Sequence, residues 1–247
     1  MKIGLLLQAR TGSTRLPGKI FMDLNGRYSI QRILDGCKKT VYPHKILLCM
    51  PKEDEAEIKE RISNGELESH IDERFDLFIG GENSNDLVDR FYKAARLHNI
   101  DVIVRLTCDN PMYEAAEDII DDMIDDYLDN GAMGFLGNND AISRNPFPNG
   151  IDVEIFNYRM LCWAKANIKD KINLEHCATS FYKCGNPFSV RAYNNMNRIS
   201  KLIPSFTLDT VEDYQLLLKL TKNYDACQDL NAAIEKTNYE VWNNDGK

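Results

Sequence analysis

Arg10, Arg15 and Lys19 fall within one short stretch, Gln8-Ala9-Arg10-Thr11-Gly12-Ser13-Thr14-Arg15-Leu16-Pro17-Gly18-Lys19, directly after the apolar run Ile3 to Leu7. A buried strand that runs into a loop with three cations, two glycines and several hydroxyls is suited to holding polyanionic phosphate. Glycine lets the backbone approach a ligand, and exposed N–H groups, Arg and Lys supply the donors. The spacing is not that of a Walker loop. Gly12 and Gly18 are separated by five residues where that motif needs four, and Ile20 follows the lysine where Ser or Thr would hold Mg²⁺. A plain basic loop joining a strand to a helix would have a similar composition.

Two aspartates occupy comparable addresses. Asp109, in Thr107-Cys108-Asp109-Asn110-Pro111, sits just past an apolar segment, and Asp209, in Leu208-Asp209-Thr210, opens a helical pattern. Each could simply cap the following helix. Brought to one crevice beside a phosphate loop, the pair would suit Mg²⁺, which takes one or two protein carboxylates and completes its shell with phosphate oxygens and water.

Such a crevice needs a sheet to build it. Ile3–Leu7, Lys45–Met50, Phe75–Ile79 and Val102–Leu106 read as strands. Between them, Ile30–Lys38, Asp54–Ile62 and Asp86–His98 read as helices, the last with Leu87, Phe91, Ala94, Ala95 and Leu97 on or near its inner face. Alternation of this kind predicts a mostly parallel sheet covered on both sides. In Glu114–Asn130, Ile119, Ile120, Met123, Ile124, Tyr127 and Leu128 recur at helical spacing. The carboxylates between them are read as a solvated face rather than a metal site. The second half is less regular. Asn138–Asn149 reads as a loop, Ile151–Phe156 as a strand with Asp152 and Glu154 on one face, and Asn157–Ala166 and Asn173–Cys184 as helices. Pro187–Ala192 and Ser205–Leu208 read as strands, and Val211–Leu220 as a helix. Ligands of open α/β sheets sit beyond the carboxyl ends of the strands, where the 8–19 loop, Asp109 and Asp209 all fall.

Composition narrows the class. At 247 residues the chain is expected to form a single domain over 1–247, with no internal repeat or boundary. A net charge of −8 argues against a nucleic-acid partner, so cations gathered in one loop suggest local anion capture. No apolar stretch is long enough to span a membrane, and no signal peptide is visible. The seven cysteines, at 37, 49, 108, 162, 177, 184 and 227, form no CxxC pair or zinc spacing, and read as thiols in a reducing cytoplasm. The four histidines show no metal-binding cluster.

Ordered blocks along the chain then become specific. They are Gln8–Lys19, Gly80-Gly81-Glu82 through Asp86-Leu87-Val88-Asp89-Arg90-Phe91-Tyr92, Ile103-Val104-Arg105-Leu106-Thr107-Cys108-Asp109-Asn110-Pro111, Phe147–Phe156, Glu175-His176 and Leu208–Asp213. With these the chain resembles the SpsF-type cytidylyltransferases, relatives of the enzymes that make CMP-activated sugar acids such as CMP-Kdo and CMP-sialic acid. The resemblance implies an α/β/α sandwich around a mixed, mostly parallel sheet, the nucleotide-diphospho-sugar transferase fold. It implies transfer of CMP from CTP to a sugar acid or related acceptor, with release of pyrophosphate, for surface glycan biosynthesis.

Carried over by residue, Arg10, Arg15 and Lys19 would hold the triphosphate with Gly12 and Ser13, and Gln8, Ala9 and Arg105 would join the nucleotide site. The Gly80–Arg90 block, with Gly81, Asp86 and Arg90, would line the base and ribose side. Asp109 and Asp209 would bind Mg²⁺, and Asp152, Glu154, Glu175 and His176 would face the acceptor, His176 as a contact, a base or a structural histidine. The partners implied are CTP and a small anionic or sugar acceptor, in a cytoplasmic homodimer. The chain departs from the family in two places. Cys108-Asp109-Asn110-Pro111 stands where Gly-Asp-Cys-Pro is usual, and Asn83 or Asn85 replaces a common acid. Both bear on acceptor choice and nucleotide preference. A polyol phosphate or phosphonate acceptor is the nearest alternative. A nucleotide-sugar glycosyltransferase, which would normally show Asp-x-Asp, and a silent nucleotide-binding relative stand further off.

Overall fold

The computed structural model describes the chain except for residues 69–71, 82, 144–146, 184, 195–198, 200–201, 204 and 246–247, and the side chains of 242–245. Glu82 and Cys184, both named above, thus lie outside the described residues. At the centre of the sheet, β1 (Ile3–Gln8) pairs in parallel with β2 (Lys45–Met50) on one side and β4 (Val102–Thr107) on the other. Beyond β2 lies β3 (Phe75–Ile79), also parallel. Beyond β4, β6 (Glu154–Asn157) runs antiparallel, followed by β5 (Phe135–Gly137) and β7 (Val190–Ala192), for an order β3-β2-β1-β4-β6-β5-β7. The sheet is mixed and mostly parallel, as expected.

The central strands are apolar on successive residues because both faces are covered. Leu5, Leu7, Ile46, Leu48 and Val104 point into one layer with α1 (Ser29–Lys39), α2 (Glu55–Ser63), α4 (Glu117–Asp129), α8 (Val211–Cys227) and α9 (Leu230–Asp245). Leu6, Leu47, Cys49 and Ile103 point into the other, with α3 (Leu87–His98), α5 (Tyr158–Asn167) and α7 (Thr179–Tyr182), while the short α6 (Lys171–Glu175) adds Leu174 at its margin. Both layers are therefore helical, giving an α/β/α sandwich.

Several elements differ from the sequence reading. Leu97 is exposed, and Val88 is buried on α3 in its place. The 114–130 segment begins as a 3₁₀ turn, Pro111–Ala115, before α4 starts at Glu117. Its acids include tethers: Asp121 accepts from Val41 N at 2.9 Å, and Asp126 pairs with Arg191 at 2.9 Å. The 173–184 helix is two short pieces, α6 and α7. Ser205–Leu208 makes only an isolated bridge from Ser205 to Asn149, because its backbone bonds go to different loops: Phe206 N to Asn149 O and Leu208 N to Asp109 O, both at 2.7 Å. β5, three residues long, and α9 go beyond the sequence pattern; among the described residues of α9, Ala233, Ile234 and Thr237 are buried.

The turn that follows Asp109 is held from behind by α1. A Cβ at Gly36 would lie 2.1 Å from the Tyr113 carbonyl oxygen and 2.8 Å from Glu114 Cα. Gly36→Ala is therefore expected to destabilise the protein by about 1–3 kcal/mol, overpacking outweighing the helix propensity of alanine. A denaturant midpoint equal to wild type would show that α1 and the turn can separate freely.

Beside this contact lies a charged cluster within the core. Arg32, fully buried, donates to Leu24 O at 2.7 Å, to Glu114 at 2.6 Å and to Asp225 at 2.6 Å. Arg27 also reaches both acids, with Asp225 at 2.6 Å. One guanidinium thus joins the loop after Lys19, the turn after Asp109 and the helix after Asp209.

Candidate active site

The chain passes from β1 outward to β2 and β3, then crosses to β4 on the other side of β1, so the carboxyl ends of β1 and β4 flank a topological switch point. A cleft of about 330 Å³ opens there. Gln8, Arg10, Gly12, Ser13, Arg15 and Lys19 line it from the first loop. Arg105, Asp109, Asp152, Glu175 and His176 line it from the other elements, and Asp209 enters through its ion pairs.

Local structure explains the convergence. Gly18 at φ 68° starts the 3₁₀ turn Lys19–Phe21, which sends the Lys19 side chain back into the cleft. Lys19 Nζ donates to Asp109 Oδ2 at 2.8 Å and to Asp209 Oδ1 at 2.7 Å. The Leu208 N–H to Asp109 O bond fixes the two acid-bearing segments side by side. Thr210, rather than either aspartate, caps α8, in a capping box with Asp213. That frees Asp209 for Lys19 and for Arg15, 2.8 Å away. Two carboxylates thus converge on one cation. The donor set suits a divalent ion that completes its shell from phosphate and water, with Lys19 ammonium as the stand-in cation. No group of three or more His, Cys, Asp or Glu suited to a metal occurs among the described residues.

The opposite wall is also charge-paired. Arg10 lies 3.2 Å from Glu175 and donates to Asn85 Oδ1 at 3.2 Å. Arg105 donates to Gln8 Oε1 at 2.6 Å and pairs with Glu154, which also accepts from Asn139 at 3.0 Å. Glu154 therefore stands behind Arg105 and does not line the cleft. His176 is exposed at the rim. Cys108, next to Asp109, is buried, and burial pushes its thiol well above the usual range, so it packs as an apolar group.

Asp152 differs from these paired acids. One carboxylate oxygen accepts from Gly150 N at 3.2 Å; the other is buried and has no hydrogen-bond partner among the described residues. Burial pushes its carboxyl up to about 6. The folded protein then holds a proton that the unfolded chain, with a carboxylate near pKa ~4, releases. This contribution to stability is complete below pH ~4 and is lost as pH rises to about 6. Asp152→Asn removes the titration. Its stability relative to wild type should rise across that window and level off above it. Parallel denaturation curves from pH 4 to 7 would contradict the assignment.

Residues 5–146, more than half of the chain, match the family model described as cytidylyltransferase. The chain belongs to the cytidylyltransferase family. Over 227 residues this cytidylyltransferase is 32% identical to an uncharacterized protein of Methanocaldococcus jannaschii, covering 91% of this chain and 85% of that one. It is 26% identical over 236 residues to the spore coat polysaccharide biosynthesis protein SpsF of Bacillus subtilis, covering 92% and 90%. A solved cytidylyltransferase structure from Leptospira borgpetersenii serovar Hardjo-bovis superposes with a TM-score of 0.76 at 29% identity, covering 100% of this chain and 96% of that one. A CMP:2-keto-3-deoxy-manno-octonic acid synthetase complexed with CTP shares the fold, with a TM-score of 0.64 at 13% identity over 90% and 99% of the two chains.

Not every residue assigned by resemblance lines the cleft of this cytidylyltransferase. Ala9 is buried beneath the loop. Asp86 caps α3 by accepting from Asp89 N at 2.8 Å, and Gly81 sits at φ 91° in the preceding turn. Arg90 is buried and donates to Gly80 O at 3.3 Å and Ser84 O at 2.6 Å, so it braces that turn. Among residues the sequence reading did not assign, Thr207 lines the cleft and Asn85 engages Arg10. The position of Thr207, two residues before Asp209, was the available signal.

Proposed function

We propose that this cytidylyltransferase transfers CMP from CTP to an oxygen of a sugar acid or related acceptor, with Mg²⁺ on Asp109 and Asp209, and releases pyrophosphate. The observation that carries the reading is the convergence of Asp109 and Asp209 on Lys19 at 2.8 and 2.7 Å, beside Arg10 and Arg15, at the switch point of the sheet. The acceptor oxygen attacks the α-phosphorus; its new bond forms as the bond to the bridging oxygen breaks, and pyrophosphate leaves with the electron pair. Bound Mg²⁺ would supply charge to the phosphate oxygens. Lys19, Arg10 and Arg15 exchange their carboxylate partners for phosphate and neutralise the leaving group. Asp152, which lines the cleft with a carboxyl near pKa 6, is suited to take the acceptor's proton.

The likeness to SpsF supports a role in surface glycan synthesis, and a cytoplasmic homodimer belongs to the same proposal. Among the described residues, no helix is long and apolar enough to cross a membrane. Calorimetric titration with CTP, UTP, ATP and GTP, with and without Mg²⁺, tests the donor half. Selective CTP binding that tightens with Mg²⁺ is expected. Preference for another nucleotide would overturn the cytidylyl assignment, and no triphosphate binding would point to a nucleotide-sugar enzyme or a silent relative.

A further inference from the structure

The phosphate loop leaves the sheet early. Its last bond to β2 is Ala9 N to Cys49 O at 3.3 Å, after which Arg10, Gly12, Ser13 and Arg15 must be held without strand pairing. The next anchor is a carboxylate just beyond the carboxyl end of β2, at the same edge of the sheet. Asp54, only 7% exposed, closes the 3₁₀ turn Lys52–Asp54, and its two oxygens take both donors of Thr11: the backbone N–H at 2.8 Å and the hydroxyl at 2.8 Å. The Thr11 carbonyl in turn accepts from Gly18 N at 3.4 Å, one residue before Lys19. Thr11 therefore ties the start of the loop to its end, and Asp54 ties Thr11 to the sheet.

We propose that Asp54 is a positioning residue for triphosphate binding, acting through Thr11 to set the spacing between Arg10 and Lys19. The inference rests on the reading of the 8–19 loop as the triphosphate site. An acid beside an anion site disfavours the ligand by simple charge, so geometry is the contribution that remains. The cost is reduced because Asp54 also offsets the buried Arg90 guanidinium, which braces the 80–86 turn. Both oxygens of Asp54 are engaged by Thr11, which leaves the cations of the loop to the cleft.

The test is calorimetric titration of inorganic tripolyphosphate with Mg²⁺ into wild type, Asp54→Ala, Thr11→Val and Thr11→Ser, well below each melting temperature. Loss of bonds to a charged partner should weaken binding about 10-fold or more in Asp54→Ala and in Thr11→Val. Thr11→Ser keeps both bonds and should bind within about twofold of wild type. Lowered melting temperatures with unchanged affinity would reduce Asp54 to a structural role and overturn the proposal. If Asp54→Ala fails to fold, Thr11→Val, which loses only the hydroxyl, decides it. If wild type itself does not bind tripolyphosphate, the phosphate reading of the loop fails, and this inference with it.

Discussion

Lys19→Ala is expected to lower turnover by roughly 10²–10³, the usual cost of removing one electrostatic stabiliser from a desolvated site. The side chain is 12% exposed and meets both Asp109 and Asp209, so its loss acts twice. In the free protein it leaves two carboxylates facing each other without their common cation. In the reaction it removes positive charge where negative charge accumulates on the departing pyrophosphate. Lys19→Arg should recover little of this. A guanidinium on a longer stem places its donors in a fixed planar fork, which does not match the single point where the compact Lys19 ammonium meets both aspartates. Steady-state pyrophosphate release is the measurement, and turnover near wild type in Lys19→Ala would remove the lysine from the chemistry.

Asp109→Ala should produce a loss of similar size, roughly 10²–10³. The backbone bond from Leu208 N to Asp109 O survives this change, so the neighbouring segment stays in place and the loss reports on the carboxylate. Asp109→Asn supplies the control for shape. It keeps the volume and one oxygen but not the charge, and should resemble Asp109→Ala in rate while melting close to wild type. Higher Mg²⁺ should recover part of the activity in both, because Asp209 remains. Undiminished pyrophosphate release in Asp109→Ala would remove Asp109 from the proposed Mg²⁺ site.

The parallel half of the molecule was legible because its strands are covered on both faces. Lys45–Met50 has the bounds that its apolar run indicates, and Phe75–Ile79, a half-buried edge strand, also keeps the expected bounds. The cleft was legible for a related reason: chemistry in an open sheet gathers at the carboxyl ends of strands, where the cations of the first loop and Asp109 lie, and Asp209 joins them from an irregular segment tied to Asp109 by the Leu208 N–H. Beyond β4 the signal weakened. β5 follows Gly134, where φ is 73° and a Cβ would stand 2.4 Å from the Ser189 carbonyl oxygen, so the approach of two backbones, rather than side-chain pattern, defines that strand. Partnerships across sequence were hidden as well. Nothing in the composition of Gly80–Arg90 says that Arg90 bends back to its own turn instead of reaching a ligand, and Asp54 lies 43 residues from the threonine it holds.

The Arg32 cluster governs how much error the site can tolerate. Close-packed hydrocarbon surfaces resist voids but carry no directional bonds, so in a purely apolar core shape alone would guard the segments behind Lys19, Asp109 and Asp209 against drift in alignment. A guanidinium that meets Leu24 O, Glu114 and Asp225 at 2.6–2.7 Å permits no such drift, because directional bonds to a charge weaken steeply with misalignment. Replacing the cluster with well-packed aliphatic side chains need not cost stability, and elsewhere has raised it. Its value here is metrological: one rigid cationic fork serves as a common datum from which three otherwise separate stretches of chain are gauged.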